Sequence, residues 1–274
     1  MADKPPLGGR TVLVTGASAG LGRSLCTVLA EQGAHVVGLA RTAGAEHGVR
    51  AEVEAAGGRL TWVTGDVARS EVCDAFVQAA VDATGRVDVL INNAAARTEP
   101  GVIPSHEVPD EQWDTVLATT LGGAFRCCRA ALPELVRQRG LILNIASFTA
   151  VQAQAGMAAY AAAKAGLVQL SRVLAVEYGR EGVRVNAILL GGTATRQAAK
   201  TAAAVRDLRA RGAVAASPML SATEPMQPED VARAIALLCH PDAGLITGAE
   251  IAIDRGVSAG LLTSRYVLAL AEGR

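Results

Sequence analysis

Short runs of β-branched and aliphatic residues alternate, along most of the chain, with longer stretches in which apolar side chains return every three or four positions. Arg10–Val14 reads as a strand, and Gly20–Gln32 as a helix with Leu21, Leu25, Val28 and Leu29 on one face. Gly33 follows, where a helix favours a left-handed C-terminal residue. The same pattern predicts strand His35–Ala40, helix Ala45–Ala56, strand Leu60–Thr64, helix Ser70–Thr84 and strand Val87–Asn92. It continues with helix Asp110–Arg139, strand Leu141–Ile145, helix Met157–Tyr178, strand Arg184–Leu189, helix Pro228–Cys239 and strand Glu250–Ile253. Pro109 and Pro228 sit at helix starts, where the missing N–H costs nothing.

Apolar strands alternating with helices predict an α/β fold, a doubly wound, mostly parallel sheet with helices on both faces. No linker-like stretch interrupts residues 1–274, which predicts a single domain. Residues 191–226 break the rhythm, rich in Ala, Thr and Arg with Pro218 and Pro225 near the end. Ligands of doubly wound sheets bind beyond the carboxyl ends of the strands, so an insertion leaving that edge is placed to serve as a substrate lid.

Composition narrows the partners. The 26 basic and 26 acidic side chains balance, which removes the electrostatic footprint of a nucleic-acid or polybasic membrane-surface protein. With three Phe, three Tyr and two Trp, platforms for stacking bases are scarce. No run approaches the roughly 18 apolar residues of a membrane span, and the start, Met1 to Pro6, has no apolar signal core. A cytoplasmic protein is expected. Its five cysteines form no C-x-x-C pair and read as buried free thiols, and its four scattered histidines suggest no metal site.

Three features carry chemistry. After the first strand, Thr15-Gly-Ala-Ser-Ala-Gly-Leu-Gly22 places glycines at 16, 20 and 22. Such a turn lets a pyrophosphate approach the N-terminus of the next helix, and its place between strand and helix argues against a plain glycine-rich turn. Tyr160 and Lys164 share one helix face at i, i+4, where an ammonium beside a phenol pulls the phenol's pKa down, as a proton donor and acceptor near neutrality requires. Taken alone, such a pair is usually an ordinary surface pair. Ser147 stands just beyond the strand ending at Ile145, where its hydroxyl can donate to a developing alkoxide, although a turn serine would look the same.

Together these residues resemble the short-chain dehydrogenase/reductase family, over nearly the whole chain. The matching pieces are Thr15–Gly22, Asp66-Val67, Asn92-Asn93-Ala94, Ser147, Tyr160, Lys164, and Gly191 with Thr193 and Thr195, in the family's order and spacing. The resemblance implies a Rossmann-type oxidoreductase with Tyr160 as acid/base. Lys164 would lower its pKa and hold the nicotinamide ribose, and Ser147 would orient the carbonyl. Gly16, Ser18, Gly20, Leu21 and Gly22 would cradle the dinucleotide, Asp66 and Val67 would contact the adenine, and Asn92 and Asn93 would lie along the cofactor. Thr193 and Thr195, beyond Gly191, would meet the carboxamide and phosphate region. The family commonly forms dimers or tetramers through its two long helices, with Ala158, Ala159, Ala161, Ala162 and Ala165 admitting a partner helix here.

The chain also departs from the pattern. Thr120 replaces the Asn whose main-chain carbonyl is credited with holding a proton-relay water, so a catalytic share for Thr120 falls to its backbone. Leu190 replaces a proline, Ala95 a glycine and Ala163 a common serine. At the end of the second strand the residue is Ala40, followed by Arg41, where an acidic side chain would select NAD by binding the ribose hydroxyls. A guanidinium pairs with a 2′-phosphate, so NADP(H) is expected, with NAD possible if Arg41 is merely solvated. The predicted reaction joins a ketone or aldehyde to its alcohol on a small, nonpolar molecule. The alternative is a catalytically weak member that binds dinucleotide as a sensor or scaffold.

Overall fold

Residues 5–99, 102–195 and 225–259, with positions 199 and 203, are described by the computed structural model. Its strands are β1 (Thr11–Thr15), β2 (His35–Ala40), β3 (Arg59–Thr64), β4 (Val89–Asn92), β5 (Leu141–Ile145), β6 (Arg184–Leu190) and β7 (Glu250–Ile253). They form one sheet in the order β3-β2-β1-β4-β5-β6-β7, every neighbouring pair parallel.

Alternation along each strand divides the core in two. Val12 and Val14 of β1 pack with α1 (Gly20–Glu31), α2 (Glu46–Ala55) and α7 (Pro228–Cys239), while Leu13 between them packs with α3 (Ser70–Thr84), α5 (Gly123–Gln138) and α6 (Ala158–Tyr178). Both sheet faces are therefore covered, which is why the strands lack a polar side. All five cysteines are buried free thiols, and burial pushes Cys26, Cys128 and Cys239 up to about 12, so these three pack as small hydrophobes.

The expected helix over Asp110–Arg139 runs from Asp110 to Gln138 with helical backbone at each joint, and carries a π-helical turn that the sequence pattern does not predict. It consists of α4 (Asp110–Leu117), a π-helical turn at Ala118–Gly122, and α5, ending before Arg139 in the left-handed region at φ 49°. Gly122 and Gly123 weaken the helix locally. Gly123 also lies so close to β3's following loop that a Cβ there would stand 2.6 Å from Val67 Cγ2. Earlier in the chain, β4 starts at Val89 rather than Val87, and just ahead of it the Asp88 carboxylate accepts the Thr11 amide (2.9 Å). On α6, Ala159 was expected on a partner-facing surface but is fully buried within the protomer; Ala162 and Ala165 are exposed, and Ala158 and Ala161 half-buried.

Most of the expected lid, 191–226, lies outside the described residues. Its two ends are tied together: Thr193 and Met226 form a parallel bridge, with Ala194 N–H donating to the Met226 carbonyl (2.8 Å).

A buried polar chain joins the sheet to α6. Asn92 on β4 donates to Asn144 Oδ1 on β5 (2.9 Å), Asn144 donates to Ser171 Oγ on α6 (2.8 Å), and Ser171 donates to the Leu167 carbonyl (2.8 Å). Asn144→Ala leaves the Asn92 amide only its weak bond to Cys128 Sγ (3.2 Å) and opens a void beside it. A loss of about 1–3 kcal/mol of stability is expected, the cost of an unsatisfied buried donor, and urea unfolding of variant and wild type measures it.

Candidate active site

In a parallel sheet every strand delivers its carboxyl end to the same edge, and the order of this one reverses direction between β1 and β4. That crevice is where doubly wound folds bind ligands, and the sequence-predicted residues gather along it. The turn after β1 is held open by what surrounds it. Gly16 has φ +68° and Gly20 φ +53°, both left-handed. A Cβ on Gly22 would overlap the Gly16 carbonyl oxygen and stand 2.7 Å from Asn93 Nδ2. This is a backbone cradle that only glycine can form, with Leu21 buried beneath it and Ser18 half-buried at its rim.

Asn93 belongs to the frame of that cradle. Its side-chain amide donates to the Thr15 (2.9 Å) and Gly16 (3.4 Å) carbonyls, and the Asn93 and Ala94 amides both donate to Thr15 Oγ1 at 3.0 Å. Asn92, expected along the cofactor, is turned into the sheet: it is 4% exposed and serves the chain to Asn144 and Ser171. Across the turn, Thr195 approaches closely enough that a Cβ on Gly20 would meet its Cγ2 at 3.1 Å. Gly191 is equally constrained, since a Cβ there would stand 2.8 Å from Asp254 Cα, and Thr193 Oγ1 donates back to the Gly191 carbonyl (3.5 Å).

At the far end of the crevice, Asp66 accepts the Ala68 amide (2.9 Å) and reaches Arg41 Nη1 at 4.0 Å. Arg41, just past β2, is 66% exposed, so its guanidinium faces solvent while tethered to the β3 end. Val67 is buried against Gly123.

At the other end, Ser147, Tyr160 and Lys164 converge, all nearly buried. Ser147 caps the short 3-10 turn Phe148–Ala150, accepting from Thr149 N (3.2 Å) and Thr149 Oγ1 (3.0 Å), which leaves its own proton to donate. Lys164 Nζ donates to the Ile145 carbonyl at the end of β5 and stands 5.6 Å from the centre of the Tyr160 ring. Burial alone would raise the Tyr160 phenol, but Lys164, Arg97 and the Ser147 hydroxyl outweigh it and leave the phenol below its ordinary range. Burial likewise lowers the Lys164 ammonium, opposed by Tyr160 and reinforced by Arg97.

The Arg97 contact and the use of the Thr120 side chain were not visible in the motifs. Arg97, on the loop after β4, lies over the Tyr160 ring (4.3 Å from Cζ to the centroid) and donates through Nη2 to the Tyr160 hydroxyl at 3.2 Å. Its only sequence signal is proximity to Asn92-Asn93. Thr120, in the π-helical turn and fully buried, accepts the Ala96 amide at 3.1 Å and donates to the Ala96 carbonyl at 3.4 Å. Its side chain thus fixes the residue next to Arg97.

Comparisons with known proteins agree with this geometry. A family model described as short chain dehydrogenase matches residues 10–206. The chain is 36% identical to a short chain dehydrogenase/reductase of Aspergillus oryzae, over 93% of this chain and 97% of that one. It is also 36% identical to 3beta-hydroxysteroid dehydrogenase 1 of Eggerthella lenta, over 92% and 95%. Among solved structures, levodione reductase superposes with a TM-score of 0.84 at 28% identity, covering 92% of this chain and 99% of its own. The chain belongs to the short-chain dehydrogenase/reductase family.

Proposed function

We propose that this protein is an NADP(H)-dependent oxidoreductase that interconverts a ketone or aldehyde and the matching alcohol. The observation that carries the reading is the convergence of Ser147, Tyr160 and Lys164 at the carboxyl edge of the sheet, beside a glycine-rich turn that opens onto the N-terminus of α1, where a phosphate is favoured. A nicotinamide dinucleotide bound in the crevice supplies or accepts the hydride. The chain's residues do the rest.

In reduction, the carbonyl oxygen sits between the Ser147 and Tyr160 hydroxyls, and Tyr160 yields its proton as negative charge grows on that oxygen. Ser147 stabilises the same charge by donation. Lys164 stabilises the phenolate left behind, and its ammonium is oriented by Ile145. Oxidation runs the steps backward, with the phenolate taking the alcohol proton. The Thr120 side chain is committed to Ala96, so its part in proton relay is that of its main-chain carbonyl.

The remaining assignments follow the family resemblance. Gly16, Ser18, Gly20, Leu21 and Gly22 face the pyrophosphate, with Asn93 bracing the turn. Asp66 and Val67 border the adenine, Lys164 holds the nicotinamide ribose, and Gly191, Thr193 and Thr195 close over the carboxamide and phosphates. Arg41 selects the 2′-phosphate, and no carboxylate replaces Ala40 at the end of β2. The nonpolar character of the substrate rests on Ala213 to Met226, nearly all outside the described residues. Relatives named for a hydroxysteroid and for levodione are compatible with it. A cytoplasmic setting suits five free, buried thiols, and no helix among the described residues is long and apolar enough to cross a membrane. We assign a homodimer or homotetramer, joined through α5 and α6, where Phe125, Val173 and Val176 stand exposed.

Three outcomes are expected. Tyr160→Phe should lose at least about 10²-fold in turnover, the low end for one general acid, with dinucleotide binding kept; near-native rates on a carbonyl panel would make Tyr160 a packing residue. Arg41→Ala should weaken NADP binding by roughly ten- to a hundredfold, the equivalent of one charge-assisted hydrogen bond, and leave NAD binding unchanged, as fluorescence titration of both cofactors will show. Light scattering at micromolar concentration should return a mass well above the 28.0 kDa of one chain.

A further inference from the structure

We propose that Arg97 is a second cationic partner of the acid/base tyrosine, donating to the Tyr160 hydroxyl oxygen and stabilising the phenolate that alcohol oxidation consumes. This rests on the reading of Tyr160 as the proton-transfer group, and extends it to a residue outside the Ser147–Tyr160–Lys164 trio.

The geometry is specific. Arg97 makes two contacts with one side chain, a hydrogen bond to the phenol oxygen at 3.2 Å and a cation over the ring at 4.3 Å. Both favour negative charge on the phenol, since donation to an ionised oxygen is stronger than to a neutral one and the ring face attracts a cation. The loop that carries Arg97 is held on each side: Ala96 is bonded through both its amide and its carbonyl to Thr120, and Thr98 is buried. The guanidinium is thus presented from the β4 side of the crevice, while Lys164 approaches from α6.

Among the described residues, the polar and charged groups facing the phenol are Lys164 on α6, Arg97 after β4 and Ser147 after β5. The packing neighbours from α4 and the π-helical turn are apolar, Val116, Leu117 and Leu121. Every charge bearing on the phenol among them is positive. The two cations differ in kind. Burial weakens the Lys164 ammonium, whereas a guanidinium keeps its charge across the working pH range.

The sign of the effect follows. A stabilised phenolate lowers the pH at which Tyr160 ionises, so alcohol oxidation, which needs the phenolate, gains activity at lower pH. Carbonyl reduction, which needs the phenol, loses activity at lower pH. Removing Arg97 moves both limbs to higher pH.

The test is a near-ultraviolet phenolate titration of the full chain. Tyr160→Phe identifies the Tyr160 signal among the three tyrosines. In Arg97→Met the midpoint should move to higher pH by about one pH unit, the equivalent of one charge-assisted hydrogen bond. Arg97→Gln, which keeps a donor without the charge, should move it nearly as far, and Arg97→Lys should restore part of the difference. Circular dichroism shows which variants are folded, and either neutral variant suffices. A folded neutral variant that titrates where the wild type does overturns the proposal. The titration needs no substrate, so the two readings fail separately. A shifted midpoint in a chain that reduces no carbonyl preserves the Arg97–Tyr160 pairing and removes the oxidoreductase reading. An unshifted midpoint in an active enzyme does the reverse.

Discussion

A lysine ammonium buried to 2% exposure must have a partner, and the Ile145 carbonyl at the end of β5 supplies it. Burying an unpaired charge costs several kcal/mol, so this bond restricts where α6 can lie along the sheet. Two residues beyond Ile145 the chain reaches Ser147, and one helical turn before Lys164 it reaches Tyr160. One backbone carbonyl thus brings the serine hydroxyl and the phenol to the same place. The chain Asn92–Asn144–Ser171 secures the same pairing of β4, β5 and α6 deeper in the protein.

The glycine cradle is built by a comparable device at the switch point of the sheet. Thr15 Oγ1 accepts two main-chain amides, from Asn93 and Ala94, while Asn93 returns its side-chain amide to the Thr15 and Gly16 carbonyls. The loops after β1 and β4 are thereby locked together. The groups a ligand would meet are then left as backbone, which needs no reorganisation on binding. The adjacent asparagines illustrate how a period-two strand separates roles: Asn92 points into the sheet and Asn93 toward the turn.

The electrostatics of the site come from three elements. Tyr160 and Lys164 share α6, but Ser147 comes from beyond β5 and Arg97 from beyond β4, the latter positioned by a threonine in a π-helical turn. Such turns re-aim the residues around them by adding one to the helical repeat. Here the turn buries the Thr120 hydroxyl against Ala96.

The sequence by itself determined most of the architecture, because local periodicity decides it: strands buried on both faces have no polar side, and helices carry an apolar stripe. The glycines at 16, 20 and 22 and the spacing of Ser147, Tyr160 and Lys164 were equally legible, since each motif lies within one turn or one helix, or follows directly from a strand. What the tertiary structure alone decided concerns contacts between segments distant in sequence. The π-helical turn at Ala118–Gly122 leads into the close packing of Gly123 against Val67, and the Asp88 carboxylate takes up the Thr11 amide just ahead of β4. Ala159 is enclosed by its own protomer, and Asn92 works inside the sheet. Arg97 reaches the Tyr160 hydroxyl across 63 positions of chain. No local pattern encodes such a meeting, because it exists only once β4 and α6 have been brought to the same edge.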